Sequence, residues 1–289
     1  MLFPAPPMPA FPSGMAATTP GYLRYEDVTQ DGRLIPLACP PALGGLWRSA
    51  LTVHAGHKNA IKSGVLPLLT RMTIEALDQK IRVDKGIESR AGFEISRAAD
   101  GSRLFMNVWA EIHGSAGRIG PNATAGELAL AGRLFAEHTF TRPFGPPDQR
   151  KVTRLNVEGY PEPETIYAQP APATAQEPPD GGRWLDELAP DSIDYCFTLD
   201  NTDSNQHVNS IAYIRLYLDA AQRRLAAAGH AGKIRSRAVD IAYRKPCFAG
   251  DRVRPHLRLF SHEAGPGAAG FIAGDDGKPR CYVRVAFSV

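Results

Sequence analysis

Between Asn209 and Gly229 the chain carries a helical pattern that leaves little choice of architecture. Ile211, Ile214, Leu218, Ala221 and Leu225 recur at three- and four-residue steps. Asn209 suits the N-cap, because its side-chain oxygen can accept from the free amides of the first turn, and Gly229 suits the stop. Tyr213, Leu216 and Tyr217 lie off that stripe, so the helix is apolar on more than one face and needs protein around it. A helix wrapped by a sheet meets that need.

Strands to wrap it are legible in two places. Ser89 to Ser96 and Leu104 to Ile112 flank an Ala99-Asp100-Gly101 turn, and in the second run Leu104, Met106, Val108, Ala110 and Ile112 alternate with Phe105, Asn107, Trp109 and Glu111. Near the C-terminus, Val253, Pro255, Leu257 and Leu259 alternate with Arg254, His256 and Arg258. After a Gly274-Asp-Asp-Gly277 turn, Cys281, Val283, Val285 and Phe287 do the same. Glu263 to Gly270 reads as a small insertion in this second pair. Two halves that end alike point to a diverged internal duplication.

Other stretches read less sharply. Tyr22 to Ile35 is strand-like around an Asp31-Gly32 turn, and Leu43 to Trp47 fits a helix. In Val65 to Val83 the positions Leu66, Leu69, Met72, Ala76 and Leu77 favour a helix with Pro67 in its first turn. Leu128 to Phe135 also reads as helical, and Arg142 to Arg150 as irregular. Gly159 to Gly182 contains six prolines and little apolar content, the composition of a linker. The expected layout is a flexible tail over 1–20, a first unit over 21–158, a linker over 159–185 and a second unit over 186–289.

Just before the helix, Asp203, Asn205 and His207 alternate; on an extended backbone this period puts all three on one side. The run Asp203-Ser-Asn-Gln-His-Val-Asn209, followed by Tyr213-Ile-Arg, resembles the Asp-x-Asn-x-His-Val-Asn-Asn-x-x-Tyr signature of the plant and bacterial acyl-ACP thioesterases, with Ser210 in place of the second Asn. Downstream, Ile241-Ala-Tyr-Arg-Lys-Pro-Cys-Phe-Ala-Gly-Asp251 resembles the strand that follows the helix in the same families. The resemblance covers about the last third of the chain. It implies an α+β fold, a tandem double hotdog in which each unit is a long helix wrapped by a curved antiparallel sheet. Hotdog units usually pair to build the acyl pocket between them, and two in one chain would supply that pair internally.

The resemblance further implies that the chain hydrolyses an acyl thioester, acyl-ACP or acyl-CoA, to the free acid, with Asp203, Asn205 and His207 catalytic. Thioester cleavage needs a carboxylate to attack or to activate water, donors for the developing oxyanion, and a dry pocket. Asp203 can be base or nucleophile, and free amides at the helix start can hold the oxyanion. His207 can polarise the carbonyl, assist proton transfer or orient its neighbours, while Asn205 fixes the water or the carboxylate. Asn209, Tyr213, Arg244 and Lys245 are candidate substrate contacts, the last two with Arg252 for the phosphates of the carrier arm. Bland readings compete: Asn209 as a cap alone, Asp200 and Asn201 as turn residues, the basic residues as a solvated face, and Cys247 as a small buried apolar residue. His54, His57 and Asn59 form at most a degenerate echo of the cluster in the first half. At position 246 the plant enzymes carry a glutamate of the proposed site, and this chain has Pro246, which cannot titrate. A non-catalytic acyl-binding or assembly protein is therefore the second reading. Hotdog dehydratases and hydratases fit less well, because the hydratase pattern places its histidine five residues after the aspartate and His207 lies four after Asp203.

Composition sets the remaining bounds. At 289 residues the chain exceeds one small domain, and lysine plus arginine exceed aspartate plus glutamate only by 33 to 30, too slight an excess to argue for nucleic acid. Cys39, Cys196, Cys247 and Cys281 form no Cys-x-x-Cys pair, so neither a zinc site nor a disulfide framework is indicated, and no cofactor or metal is expected. No basic leader followed by an apolar run opens the sequence, and no segment reaches about 18 uninterrupted apolar residues. The expectation is a cytoplasmic protein of lipid metabolism, without membrane insertion, with room for a homo-oligomer.

Overall fold

The computed structural model describes the whole chain except residues 121–123, 125, 161, 231–233 and 289. One antiparallel sheet organises it. In chain order the strands are β1 (Ala16–Gly21), β2 (Leu66–Ala76), β3 (Ile87–Arg97), β4 (Leu104–Ser115), β5 (Leu128–Thr141), then the two-residue strands β6 (Arg183–Trp184), β7 (Ala189–Pro190) and β8 (Tyr195–Cys196), and β9 (Arg235–Tyr243), β10 (Arg252–His262), β11 (Gly265–Gly274) and β12 (Pro279–Ser288). The helices are α1 (Leu43–Leu46), which runs on into a π-helical turn over Trp47–Leu51, then α2 (Ala55–Lys62) and α3 (Ser210–Ala227). Sheet order is β1-β3-β4-β5-β2-β9-β12-β11-β10-β6, with β7 and β8 also on β10. Each side of the β2–β9 seam therefore repeats one plan: an edge piece, helix, and four strands of which the first returns to the seam.

The seam is antiparallel, with Arg71 opposite Ala242 and Glu75 opposite Ala238. On the inner face Met72, Ile74, Val239, Ile241, Val283 and Val285 join Ile214, Tyr217, Leu218 and Leu225 of α3 in one apolar cluster. Burying such a cluster is the main source of stability. The helix ends as its sequence leads one to expect, with Gly229 at φ +90° just past the last turn.

The outer face is covered as well, by the residues read as tail and linker. Phe3 is fully buried against Ala238 and Ala286, and Trp109 donates its indole N–H to the Pro6 carbonyl at 3.0 Å. The N-terminal residues are thus packed rather than loose, and Ala16–Gly21 forms the edge strand on β3. Within 159–185, Tyr167 and Ala175 are buried, and Tyr167 packs with Phe105, Trp109 and Phe135. The proline-rich segment is a strap laid across the sheet.

Under the strap lies a charge cluster. Asp240 on β9, fully buried, accepts two hydrogen bonds from Arg71 on β2, at 2.8 and 2.6 Å, and one from Arg284 on β12 at 2.8 Å. Arg71 also donates to Thr174 of the strap at 3.0 Å, and Glu137 accepts from Tyr167, Gln169 and Thr70. Two buried carboxylates thus face two buried guanidinium groups, which is how charge survives out of water.

Three expectations about elements fail, each for a packing reason. The helix expected in Val65–Val83 and the one in Leu128–Phe135 are the strands β2 and β5. Both are covered on both faces, so the inside-outside alternation that marks a half-exposed strand is lost. A register irregularity between Leu69 and Arg71 also changes the parity of β2 midway, which leaves apolar residues at helix-like spacing. The insertion expected at Glu263–Gly270 is the start of β11. Gly267 and Gly270 are required there, because a Cβ at either position would overlap a neighbouring backbone carbonyl, that of Val285 or that of His256. In Tyr22–Ile35 a single bridge, Val28 to Leu34, closes around the expected turn.

Candidate active site

The chain reaches the start of α3 by climbing β10. Phe197, buried, donates its N–H to the Asp251 carbonyl at 3.0 Å and accepts from Gly250 at 2.7 Å. A 3-10 turn over Leu199–Asn201 follows, in which Asn201 Oδ1 accepts from the Thr198 N–H at 2.8 Å. Thr202 then bridges to Val208, and the five residues between them close a tight turn: Asp203 N–H donates to His207 O at 3.1 Å and Gln206 N–H to Asp203 O at 2.9 Å. Asn209 caps α3, its Oδ1 accepting from Ala212 N–H at 3.1 Å.

That turn corrects the extended backbone expected for Asp203 to His207, so the period of two does not place the three side chains on one face. Asp203 Oδ1 instead accepts the Asn205 N–H at 2.8 Å, the local bond that aspartate makes in turns. Gln206 sits at φ +66°, alone among the described non-glycine residues in having a positive φ. Such a residue costs on the order of 1 kcal/mol, and strain of this kind gathers at functional loops. Asp203 and Asn205 are exposed and His207 is half-buried. Among the described residues, Asp203 Oδ2, the side-chain amide of Asn205 and the His207 ring have no protein hydrogen-bond partner. Three polar groups on one short turn thus remain available to a ligand.

What holds the turn in place is the segment after β9. Val208 N–H donates to the Cys247 carbonyl at 2.8 Å, and Cys247 N–H donates to the hydroxyl of Tyr213 at 2.8 Å. Tyr213, a candidate substrate contact, is thus 3% exposed and committed to this loop, its ring against Phe197 and Tyr243. Tyr243 donates to Ser210 O at 3.3 Å; burial pushes the pKa of both hydroxyls up, so they stay protonated. Burial raises the Cys247 thiol as well, the opposite of what a nucleophile needs. Pro246 is exposed beside Cys247, and Arg244, Lys245 and Arg252 are exposed too. Neither the role of Tyr243 nor the Val208–Cys247 link has a signal in the sequence beyond the place of Tyr243 and Cys247 in the Ile241–Asp251 run.

The first-half histidines lie elsewhere. His54 caps α2, its Nδ1 accepting the His57 N–H at 3.3 Å, and His57 Nδ1 lies 3.1 Å from the Tyr160 hydroxyl. His138 of β5, fully enclosed near Trp47 and His57, has its pKa lowered to about 4 by desolvation. Asn59 donates to the Glu158 carbonyl at 2.9 Å. These are packing and capping roles. Among the described residues no group of three His, Cys, Asp or Glu side chains is placed to hold a metal ion, and no helix is long and apolar enough to cross a membrane.

The fold has counterparts among solved structures. A putative oleoyl thioesterase from Lactobacillus plantarum aligns with TM-score 0.64 at 14% identity, over 96% of this chain and 97% of its own. An acyl-ACP thioesterase from Bacteroides thetaiotaomicron VPI-5482 aligns with TM-score 0.60 at 14% identity, over 94% and 98%. The 12:0-ACP thioesterase from Umbellularia californica gives 0.55 at 13%, over 96% and 99%. No protein-family model and no curated protein matches the sequence. At these identities the likeness is one of fold, and the chain has the hotdog fold.

Proposed function

We propose that this protein is a tandem double hotdog, with units over 21–158 and 186–289, that hydrolyses an acyl thioester carried by CoA or ACP. The observation that carries the reading is the turn at Asp203–His207, locked by Val208 and Asn209 to the start of a buried helix and presenting a carboxylate oxygen, a side-chain amide and an imidazole with no partners among the described residues. In the proposed reaction Asp203 takes a proton from the water that attacks the thioester carbonyl and passes it to the thiolate as the C–S bond breaks. Alternatively it attacks the carbonyl itself, expelling the thiolate and forming an acyl anhydride that water then hydrolyses to the free acid, the water's proton going to the thiolate. The backbone amides of Ser210 and Ile211, in the first turn of α3, form the positive end of the helix dipole and suit the oxyanion. His207 and Asn205 orient the water or the carbonyl, and Tyr213 positions the turn rather than touching substrate.

The likeness in fold to acyl thioesterases supports this reading, as does the dense local match around Asp203. The role of Asp203 is tested by following free thiol release from a panel of acyl-CoA and acyl-ACP substrates. Turnover that falls by about 10²–10⁴-fold in Asp203→Ala is expected for a positioned base; equal rates in the two proteins would remove Asp203 from the chemistry. A second reading, binding of acyl thioesters without hydrolysis, draws on Pro246, which cannot titrate and stands where the plant enzymes carry a glutamate. Tight binding with no thiol release from any substrate would favour it.

A further inference from the structure

A cleft of about 420 Å³ opens on the outer face at the seam, where the start of β2, the ends of β5 and β9, and the strap meet. Arg103, just ahead of β4, and Arg244, just after β9, line it together with Thr139, Gln169 and Tyr243. The other two charges in its wall are already committed: Arg71 to Asp240, and Glu137 to three donors. Arg103 and Arg244, by contrast, are exposed, and their guanidinium groups have no ion-pair or hydrogen-bond partner among the described residues. One guanidinium comes from each half, and Lys245 follows in the chain. The cleft therefore carries an uncompensated positive charge in a concave site, the setting in which guanidinium groups take phosphate oxygens. Tyr243 links the cleft to the candidate active site round the end of β9: it lines the cleft, while its ring packs on Tyr213 and its hydroxyl bonds Ser210 at the start of α3 on the inner face.

We infer that this seam cleft binds the phosphate of the carrier of the thioester, with Arg103 and Arg244 as its paired ligands. The inference rests on the proposal that the substrate is a carrier thioester, and it names the residues that recognise the carrier. Through Arg103 the first half also completes a site whose reacting turn lies in the second. CoA and ACP share a phosphate on the pantetheine arm, so both are expected to use the cleft, and CoA can add its nucleotide phosphates.

The test pairs Arg103→Ala/Arg244→Ala with the wild type on three probes. Free CoA is titrated by calorimetry, with inorganic pyrophosphate as competitor. Hydrolysis is compared for acyl-CoA, for acyl-ACP, and for the matching acyl-N-acetylcysteamine thioester, which has no phosphate. A rise of about tenfold in the CoA Kd and in KM for acyl-CoA is expected, with kcat within about twofold and no change for the acyl-N-acetylcysteamine thioester. The same rise with acyl-ACP assigns the contact to the shared arm phosphate; a rise with acyl-CoA alone assigns it to the nucleotide phosphates. An unchanged Kd for CoA, or an equal loss on the phosphate-free thioester, would overturn the inference. If the wild type hydrolyses nothing yet binds CoA through these arginines, the hydrolytic reading fails and the cleft assignment stands.

Discussion

An asparagine stands at the start of the long helix of the second half, and an alanine at the start of the short helical run of the first. In the second half, Asn209 has extended backbone and its side chain closes the first turn of α3, which then runs unbroken for 18 residues. In the first half, Ala42 precedes α1 with helical backbone and no side-chain cap, and the helical run passes through a π turn and breaks before His54 caps α2. The surroundings differ in the same sense. Around the start of α3 are Tyr213, Tyr243 and an exposed polar turn, whereas Trp47 of the first helical run packs against His57 and His138. Two halves with one strand plan thus differ at the helix start. In the reading proposed above, the second half carries the site and the first supplies wall and seam.

The largest effect expected from testing that division lies at the seam. Asp240→Ala would leave Arg71 and Arg284 buried and unpaired, and urea unfolding should show a loss of about 3–5 kcal/mol. A loss below about 1 kcal/mol would mean that the two halves do not depend on this cluster. Next comes the histidine of the first half. Because burial lowers the folded pKa of His138 to about 4 from an ordinary 6.5, the unfolded chain binds the proton more readily. Its contribution to stability is therefore complete above pH 6.5 and lost as pH falls towards 4, by about 3 kcal/mol in all. His138→Phe should flatten that limb of the stability profile; an unchanged limb would assign it to the carboxylates.

The cap comes third. Asn209→Ala should cost about 1 kcal/mol and loosen the Asp203 turn, measured as denaturation midpoint and as amide exchange at Asn205 and His207. A stability loss without faster exchange there would uncouple the cap from the turn. Smallest is Gln206→Gly, which relieves the left-handed backbone and should raise stability by up to about 1 kcal/mol. If it lowers stability instead, the Gln206 side chain contributes more than its backbone costs.

How far this could be read from the sequence follows the same division. The helix from Ser210, its cap, its stop and the β3–β4 hairpin are legible, because each is signalled within a few residues, whereas β10 and β12, which read as one strand pair, are separated in the sheet by β11. β2 and β5 read as helices because both their faces are buried, which a local pattern does not show. β11 read as an insertion because its glycines and alanines serve close approach between strands rather than apolar packing. The strap read as a linker because its few anchors, Tyr167, Thr174 and Ala175, are scattered among prolines. The candidate residues Asp203, Asn205 and His207 stand out in the sequence by type and spacing, while their arrangement does not: alternation suggests a strand, and the Asp203 carboxylate accepting from the Asn205 backbone N–H folds the segment into a turn. The partnership of Arg103 with Arg244 depends on the seam and has no local signature.

The claim that chemistry resides in the second half alone is tested most directly by thiol release from one good acyl thioester, measured in parallel for Asp203→Ala and for His54→Ala/His57→Ala. A fall in kcat of about 10²–10⁴-fold in the first variant is predicted, with kcat in the second within about threefold of the wild type. The reverse pattern, activity kept without Asp203 and lost without the first-half histidines, would contradict the account.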